Sequence, residues 1–547
     1  MRISRACNSW KAPKPEQAPT RMNALRAVGR WFDRNFLELG REMRLSYLPP
    51  LMVYMAAGIA GLTSIVGAFF VKDYLDLSAA FLAALSFWAY IPWSLKMPVG
   101  HIVDLVWRWK SALVFLGAAL IAASCVVMVL LLSHREAMSA VMPAGAWYTL
   151  SVLLAPIGYV IQDAVADAMT VEAVPKVDQQ GRPYSEREMK SMHTTMQTYG
   201  RVAVIGGLAL VALANVYLFH DTEKLPEAQK VELYARIYTY ALAIPVLSVL
   251  GVILHAFVKQ NPDAQGGEKT KPNWGVLGGS LVFVIITLAV GLGGVRHGQE
   301  IIFAGSFAVN LFLLWRLARE LAPDARNVLV GTALVLFIYR AMPSTGAGSS
   351  WWMIDVLGFD QAFLARLGLV AYALTLVGMF AFRRLMAEKS ITYIIVFLTV
   401  VGSILALPTI GMYYGLHEWT ARHTGGVVDA RFIALIDTAL ESPLGQIAMI
   451  PMLAWIANSA PANLKATYFA VMASFSNLAL SGASLTTKYM TQVFVVTREV
   501  RDRATGALKM PQDYGEVGAL MITATLIGLA VPLTVIAGVK LLRLRTA

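Results

Sequence analysis

Long apolar runs recur along the whole chain, and they constrain it more tightly than any motif. A helix rising 1.5 Å per residue needs about 20 mostly apolar residues to cross about 30 Å of hydrocarbon. Runs of that kind fall near 47–71, 78–99, 111–133, 143–172, 190–219, 236–258, 274–294, 299–317, 327–356, 362–382, 391–415, 431–457, 465–492 and 516–539. The backbone has no water to bond there, so each run reads as a helix. The expected fold class is an all-α polytopic membrane protein of about fourteen transmembrane helices. Composition agrees: 57% of the 547 residues are apolar against 15% charged, and mean hydropathy is +0.59. A soluble domain runs nearer 45–50% apolar and about 25% charged. Disorder, a collagen-like fibre and a disulfide scaffold are excluded by the same figures, and Cys7 and Cys125 offer no disulfide framework. The pair 274–294 and 299–317 has a second reading, a hairpin that does not cross, which leaves twelve spans. The stretch Ser344 to Ser350 dilutes the outer end of the run at 327–356.

The net charge of +12 sorts by membrane side. The tail 1–46 carries Arg2, Arg5, Lys11, Lys14, Arg21, Arg26, Arg30, Arg34, Arg41 and Arg44, which places it in the cytoplasm by the positive-inside rule. Alternation puts Arg108 and Lys110, Lys176 to Lys190, Lys259 to Lys271, Arg316 to Arg326, Arg383 to Lys389 and Lys540 to Arg545 on that side too. The opposite turns are poorer, with Lys72 and Arg135 standing alone; the last outer loop, with Arg498, Arg501, Arg503 and Lys509, is the exception. Both termini are expected in the cytoplasm and the chain in the cell (inner) membrane. The basic excess is a topology signal, so no nucleic-acid partner is expected. Met22 to Leu45 mixes apolar and basic residues at helical spacing, as an amphipathic helix on the inner leaflet does. A transit peptide fits poorly with Asp33, Glu38 and Glu42, and the first apolar run is too long for a signal peptide.

One internal repeat stands out. Phe69-Phe70-Val71-Lys72-Asp73-Tyr74-Leu75 with Ala80-Phe81-Leu82 returns as Trp351-Trp352-Met353-Ile354-Asp355-Val356-Leu357 with Ala362-Phe363-Leu364. Each copy sits where one run leaves the outer face and the next enters. Two six-span halves related by a parallel repeat are the layout of major facilitator transporters, whose site lies between the halves at mid-membrane. The expected organisation is a tail at 1–46, an N-terminal half at 47–258, a linker with two extra helices at 259–326 and a C-terminal half at 327–547. Chance likeness of apolar helix ends is the plain alternative.

Short motifs carry a more specific resemblance. Gly100-His101-Ile102-Val103-Asp104, with Lys96 before it and Arg108 and Lys110 after it, resembles the superfamily's cytoplasmic Gly-x-x-x-Asp signature, without the Arg that commonly follows the Asp. The resemblance implies that Gly100, Asp104, Arg108 and Lys96 belong to a gate. Gln162-Asp163-Ala164-Val165-Ala166-Asp167-Ala168, with Pro92-Trp93 and Lys96-Met97-Pro98, resembles the folate–biopterin transporter family of the major facilitator superfamily. So does Lys465-Ala466-Thr467-Tyr468-Phe469-Ala470 followed by Ser474-Phe475-Ser476-Asn477. The muropeptide permeases share similar runs. What the resemblance implies is a proton-coupled carrier, moving a folate, a pterin or a similar anionic conjugate by alternating access.

A charge at bilayer depth costs at least about 2.5–3.5 kcal/mol on insertion scales, so each one needs a partner or a wet cavity. Asp163 and Asp167, four apart, share one helix face. Counting along the runs puts Asp163 level with Arg201 and Asp167 level with Gln197. In the second half Asp437 and Glu441 are again four apart, with Glu441 level with Arg340. The functional reading gives Arg201, Arg340 and Gln197 to substrate, and Asp163, Asp167, Glu441 and Asp437 to the proton. An acid released from its Arg in an apolar cavity can take up a proton. The bland reading is two permanent salt bridges. Lys488 reads as a snorkelling side chain. Tyr90, Trp93, Trp351 and Trp352 are placed to stack a flat ring or to form the interfacial aromatic belt.

No phosphate loop, nucleophile elbow or zinc pattern is present, and the histidines show no metal-ligand spacing. No enzyme activity and no cofactor or metal are expected. The expected partners are a small anionic substrate, the proton and the lipid bilayer, with the chain a monomer. The readings that stand beside a folate or pterin carrier are a muropeptide or other conjugate permease and a non-transporting assembly factor.

Overall fold

The computed structural model describes residues 40–41, 43–63, 66, 92–93, 96–178, 180–218, 226–257, 274–292, 295–319, 321–359, 361–459, 465–497, 500–501 and 508–547. Arg44–Ala547 forms one compact unit, distinct from Met1–Met43, in which Gly40 and Arg41 are helical. Of the amphipathic helix expected over Met22 to Leu45, residues 22–39 lie outside the described residues, as do the first copy of the repeat and Tyr90.

The principal helices are α1 (Leu48–Ile59), α2 (Lys96–Leu105), α3 (Lys110–Ser133), α4 (Ala144–Ala173), α5 (Glu186–Leu218), α6 (Glu227–Ala241), α7 (Ala243–Phe257), α8 (Trp274–Leu292), α9 (Gly298–Arg319), α10 (Pro323–Arg340), α11 (Gly346–Asp355), α12 (Gln361–Ala381), α13 (Arg383–Glu388), α14 (Ile391–Leu405), α15 (Leu407–Tyr413), α16 (Ala430–Glu441), α17 (Met449–Ser459), α18 (Lys465–Val493) and α19 (Val517–Leu541). A ribbon of β1 (Val500–Arg501) and β2 (Leu508–Met510), paired antiparallel, interrupts the turn before α19. Among the described residues nine helical stretches are long and apolar enough to cross a membrane. The regions around α1, α8 and α12 give only shorter apolar helices.

Local chemistry explains several boundaries. Helix α5 begins four residues before the apolar run because Ser185 and Glu188 form a reciprocal capping box: the Ser185 backbone N–H donates to Glu188 Oε2 at 2.8 Å, and the Glu188 N–H donates to Ser185 Oγ at 3.3 Å. The run at 327–356 is two helices, broken at Ala341–Thr345, where Pro343 cannot donate to the helix ladder. The run at 431–457 also breaks: Pro443 follows the end of α16, and a 3-10 turn, Ser442–Leu444, replaces the ladder. Gly378 of α12 lets that turn approach, since a Cβ there would meet the Pro443 carbonyl oxygen at 2.1 Å.

Glycines also set the first group of helices. A Cβ at Gly117 of α3 would sit 2.7 Å from the Gly158 oxygen of α4, and one at Gly58 of α1 would sit 2.2 Å from the Val204 oxygen of α5. Small residues at such crossings let backbones touch, which is how helices associate where burial gains nothing over lipid. The elements before residue 258 meet those after 322 along one seam: α2 and α4 pack against α18, and α5 packs against α12, α13 and α17. Ile205, Val202 and Leu208 of α5 join Met379, Ile447 and Ile450 there. Helix α8 packs against α2, and α9 packs against α10 and α18.

Candidate functional site

Asp163 and Asp167 project from one face of α4, and Lys96 of α2 donates its Nζ to Oδ2 of both. The Lys96 side chain is 2% exposed, against 20% for Asp163 and 5% for Asp167. Tyr54 of α1 donates its hydroxyl to the other Asp167 oxygen, Oδ1, at 2.5 Å. Thr170 donates to the Asp167 carbonyl oxygen at 2.7 Å, and Gln197 of α5 donates to the Thr170 hydroxyl at 3.1 Å. Two other helices, α1 and α2, therefore reach the buried Asp167 carboxylate, and α5 is joined to its backbone through Thr170.

This geometry corrects the expected pairing of Asp163 with Arg201. Counting along a run gives the height of a side chain but not its direction around the helix, and Lys96 reaches the acids at the same height from another side. Lys96 thus stands with Asp163 and Asp167, although its sequence position beside Gly100 and Asp104 had grouped it with the gate. Arg201 is half-buried and has no ion-pair partner among the described residues. It follows Gly200, on which the Tyr54 ring of α1 rests.

The expected Glu441–Arg340 pair is likewise not formed. Arg340 donates from Nε to the Ser476 carbonyl oxygen at 3.2 Å and from Nη1 to Met449 Sδ at 3.3 Å, both neutral acceptors. The break at Ser442–Leu444 ends α16 at Glu441, so a count along one continuous helix fails there. Asp437 accepts from the Thr409 hydroxyl at 2.8 Å, while Glu441 is exposed. Arg340 thus reaches Met449 of α17, the helix against which α5 packs, while Asp437 and Glu441 lie on α16.

The remaining candidates are placed as follows. Asp104 and Gly100 are buried on α2 and Arg108 is exposed. Lys110 forms a buried pair with Glu172 at 3.0 Å and lies over the Trp107 ring at 4.3 Å. Trp93 is half-buried. Trp352 is buried in a cluster with Phe359 and Met412, its ring 5.6 Å from Tyr413, so it packs a core rather than an interfacial belt. Lys488 does not simply snorkel: it pairs at 2.6 Å with Glu300, which the inserted α9 brings to it. Two residues that sequence reasoning passed over join the seam, where Arg383 Nη2 donates to Thr195 Oγ1 at 3.0 Å and both are buried. Arg383 reads in sequence as one of several topology charges, and Tyr54 as one aromatic in an apolar run. Among the described residues no group of three or more His, Cys, Asp or Glu is arranged to hold a metal ion.

Family comparison then decides the class. The BT1 family model matches residues 57–538. The chain belongs to the BT1 family. The BT1 protein is 24% identical over 459 residues to the folate-biopterin transporter of Synechocystis sp., a match covering 82% of this chain and 75% of that protein. The resemblance carried by Gln162 to Ala168 and Lys465 to Ala470 pointed the same way. Among solved structures it is similar to the proton:xylose symporter XylE bound to 6-bromo-6-deoxy-D-glucose, with TM-score 0.51, 13% identity, and 88% of this chain and 94% of that chain covered. It is also similar to the major facilitator superfamily transporter FucP in the outward conformation, with TM-score 0.52, 13% identity, and 92% and 100% covered. The BT1 protein accordingly has the major facilitator fold and is a multi-pass membrane transporter, not an enzyme.

Proposed function

We propose that the BT1 protein is a proton-coupled secondary transporter that moves a folate- or pterin-like organic anion by alternating access. The observation that carries this reading is the pair of guanidinium groups, Arg201 from the first group of helices and Arg340 from the second. Arg340 reaches Met449 of α17, the helix that packs on α5, and neither guanidinium is neutralised by a carboxylate among the described residues. Two half-buried like charges across a seam repel until an anion arrives, and an anion binding both draws the seam together. A carboxylate or an ionised pterin ring fits that demand, since Arg presents a planar fork of donors. Gln197 and Trp93 are assigned to the periphery of that site.

Asp163 and Asp167 are the proposed proton site. Lys96 neutralises one of the two negative charges, which leaves a pair of carboxylates able to accept a proton when Lys96 moves. Asp437 and Glu441 form a second acidic group on α16, assigned as an accessory proton site. Gly100, Asp104 and Arg108 are assigned to the gate at the cytoplasmic end of α2. The reading places the protein as a monomer in the inner membrane with both termini in the cytoplasm, and its helices as six, two and six.

Uptake of labelled folic acid by proteoliposomes with an imposed pH gradient tests the reading. Accumulation that follows the gradient and is competed by unlabelled pterins supports it. Uptake indifferent to the gradient removes the proton from the mechanism, and competition by sugar-peptides alone moves the substrate to the muropeptide class.

A further inference from the structure

Tyr54 is 2% exposed and is held at both ends. Its hydroxyl donates to Asp167 Oδ1 at 2.5 Å. Its ring rests on Gly200 of α5, where a Cβ would lie 3.1 Å from Tyr54 Cε2 and 3.2 Å from Cδ2. The bare Gly200 precedes Arg201, about 100° around the same helix. Gly200 and Gly207, on one face of α5, meet α1, whereas Ile205 and Leu208 face the elements across the seam. Helix α5 thus touches the anion-binding side with one face and the Tyr54 ring with the next.

We propose that Tyr54 is a positioning residue, fixing the Asp167 carboxylate to the segment of α5 that carries Arg201, so that displacement of α5 changes how readily Asp167 takes a proton. This inference rests on the assignment of Asp167 as a proton site. The groups facing Asp167 are Asp163 on its own helix, Lys96 from α2 and Tyr54 from α1. From α3, Lys110 is taken by Glu172; α17 carries no titratable side chain; and Lys488 of α18 is engaged by Glu300. Tyr54 is thus the neutral donor in the cluster. A hydrogen bond to an ionised carboxylate favours the ionised form, and its strength depends steeply on geometry.

Infrared titration of the purified full-length protein in liposomes reads this without a substrate. The carboxylic C=O band that disappears in Asp167→Asn reports the proton on that residue. Tyr54→Phe keeps the ring and removes the donor; the midpoint of that band should move upward by about one pH unit, the loss of one charge-assisted hydrogen bond. Gly200→Ala, which presses on the ring without touching the acid, should move it in the same direction. Gly206→Ala, where a Cβ meets nothing within 4 Å, should leave it in place. An Asp167-dependent band whose midpoint is the same in the wild type, Tyr54→Phe and Gly200→Ala overturns the role of Tyr54. A spectrum with no Asp167-dependent band overturns the proton site itself, and this inference with it.

Discussion

Arg340 of α10 donates to Met449 Sδ of α17 at 3.3 Å, on the helix against which α5 with Arg201 packs, and neither arginine has a carboxylate partner among the described residues. Ion pairs that only hold helices together would each include an acid. Here Asp163 and Asp167 of α4 are taken by Lys96 and Glu172 by Lys110, and Asp437 of α16 accepts from Thr409.

Neutralising either arginine is therefore expected to cost little stability. Arg340→Gln and Arg201→Gln each break no ion pair among the described residues and remove at most two hydrogen bonds to neutral acceptors. Thermal unfolding in detergent should show shifts within about 1 kcal/mol of the wild type for each. A loss of several kcal/mol in either would mean that the guanidinium holds the fold together.

Lys96 is expected to behave in the opposite way. Removing one partner from a buried charge cluster typically costs about 3–5 kcal/mol, because the charge left behind has no compensation. Lys96→Met leaves two buried carboxylates facing each other, so it should destabilise the protein strongly. Combining it with Asp163→Asn and Asp167→Asn should recover most of the loss, a coupling readable as non-additive unfolding free energies.

The Arg383–Thr195 hydrogen bond joins α13 to α5 across the seam. Thr195→Val keeps the shape and removes the acceptor, leaving Arg383 short of one bond worth about 1.5 kcal/mol, or about tenfold in an equilibrium. Spin labels at the exposed positions Arg187 and Glu388 should report a larger share of long distances in Thr195→Val than in the wild type.

The loop between α4 and α5 provides a pH test outside the membrane. Asp178 accepts from the Arg182 backbone N–H at 2.9 Å, from Arg182 Nε at 2.8 Å and from the Gln180 N–H at 2.9 Å. These bonds, the Arg182 backbone N–H foremost, hold its carboxyl below the usual range. A folded-state value below the unfolded one adds order that is complete above about pH 4 and is lost as pH falls through the lower value. Hydrogen exchange at the Gln180 and Arg182 amides should be unchanged between pH 7 and 5, after correction for intrinsic rates, and should lose protection below about pH 4.

Hydropathy alone located most of this fold. The observed α3, α4, α8 and α9 begin and end within about two residues of the apolar runs, because lipid demands a minimum length whatever the packing. The break inside 327–356 falls beside the diluted stretch Ser344 to Ser350, whereas the break inside 431–457 escaped because Pro443 sits in a stretch that stays apolar on average, and a window averages over it. In the site, Asp163, Asp167, Arg201 and Arg340 were legible as charges that need a reason at depth. Their partners were not, since pairing depends on azimuth: Arg201 points about 100° away from the Gly200 face, and Lys96 arrives from a helix whose approach no periodicity records. Tyr54 gave no signal at all, because its partners lie 113 and 146 residues away in the chain.

The most direct test of the two-arginine site is equilibrium binding of labelled folic acid to the purified protein and to Arg201→Gln and Arg340→Gln at matched folding. Loss of one charge-assisted contact corresponds to about 10-fold or more in Kd. The expected result is wild-type binding that weakens by at least that factor in each variant. Wild-type affinity in both would contradict the account.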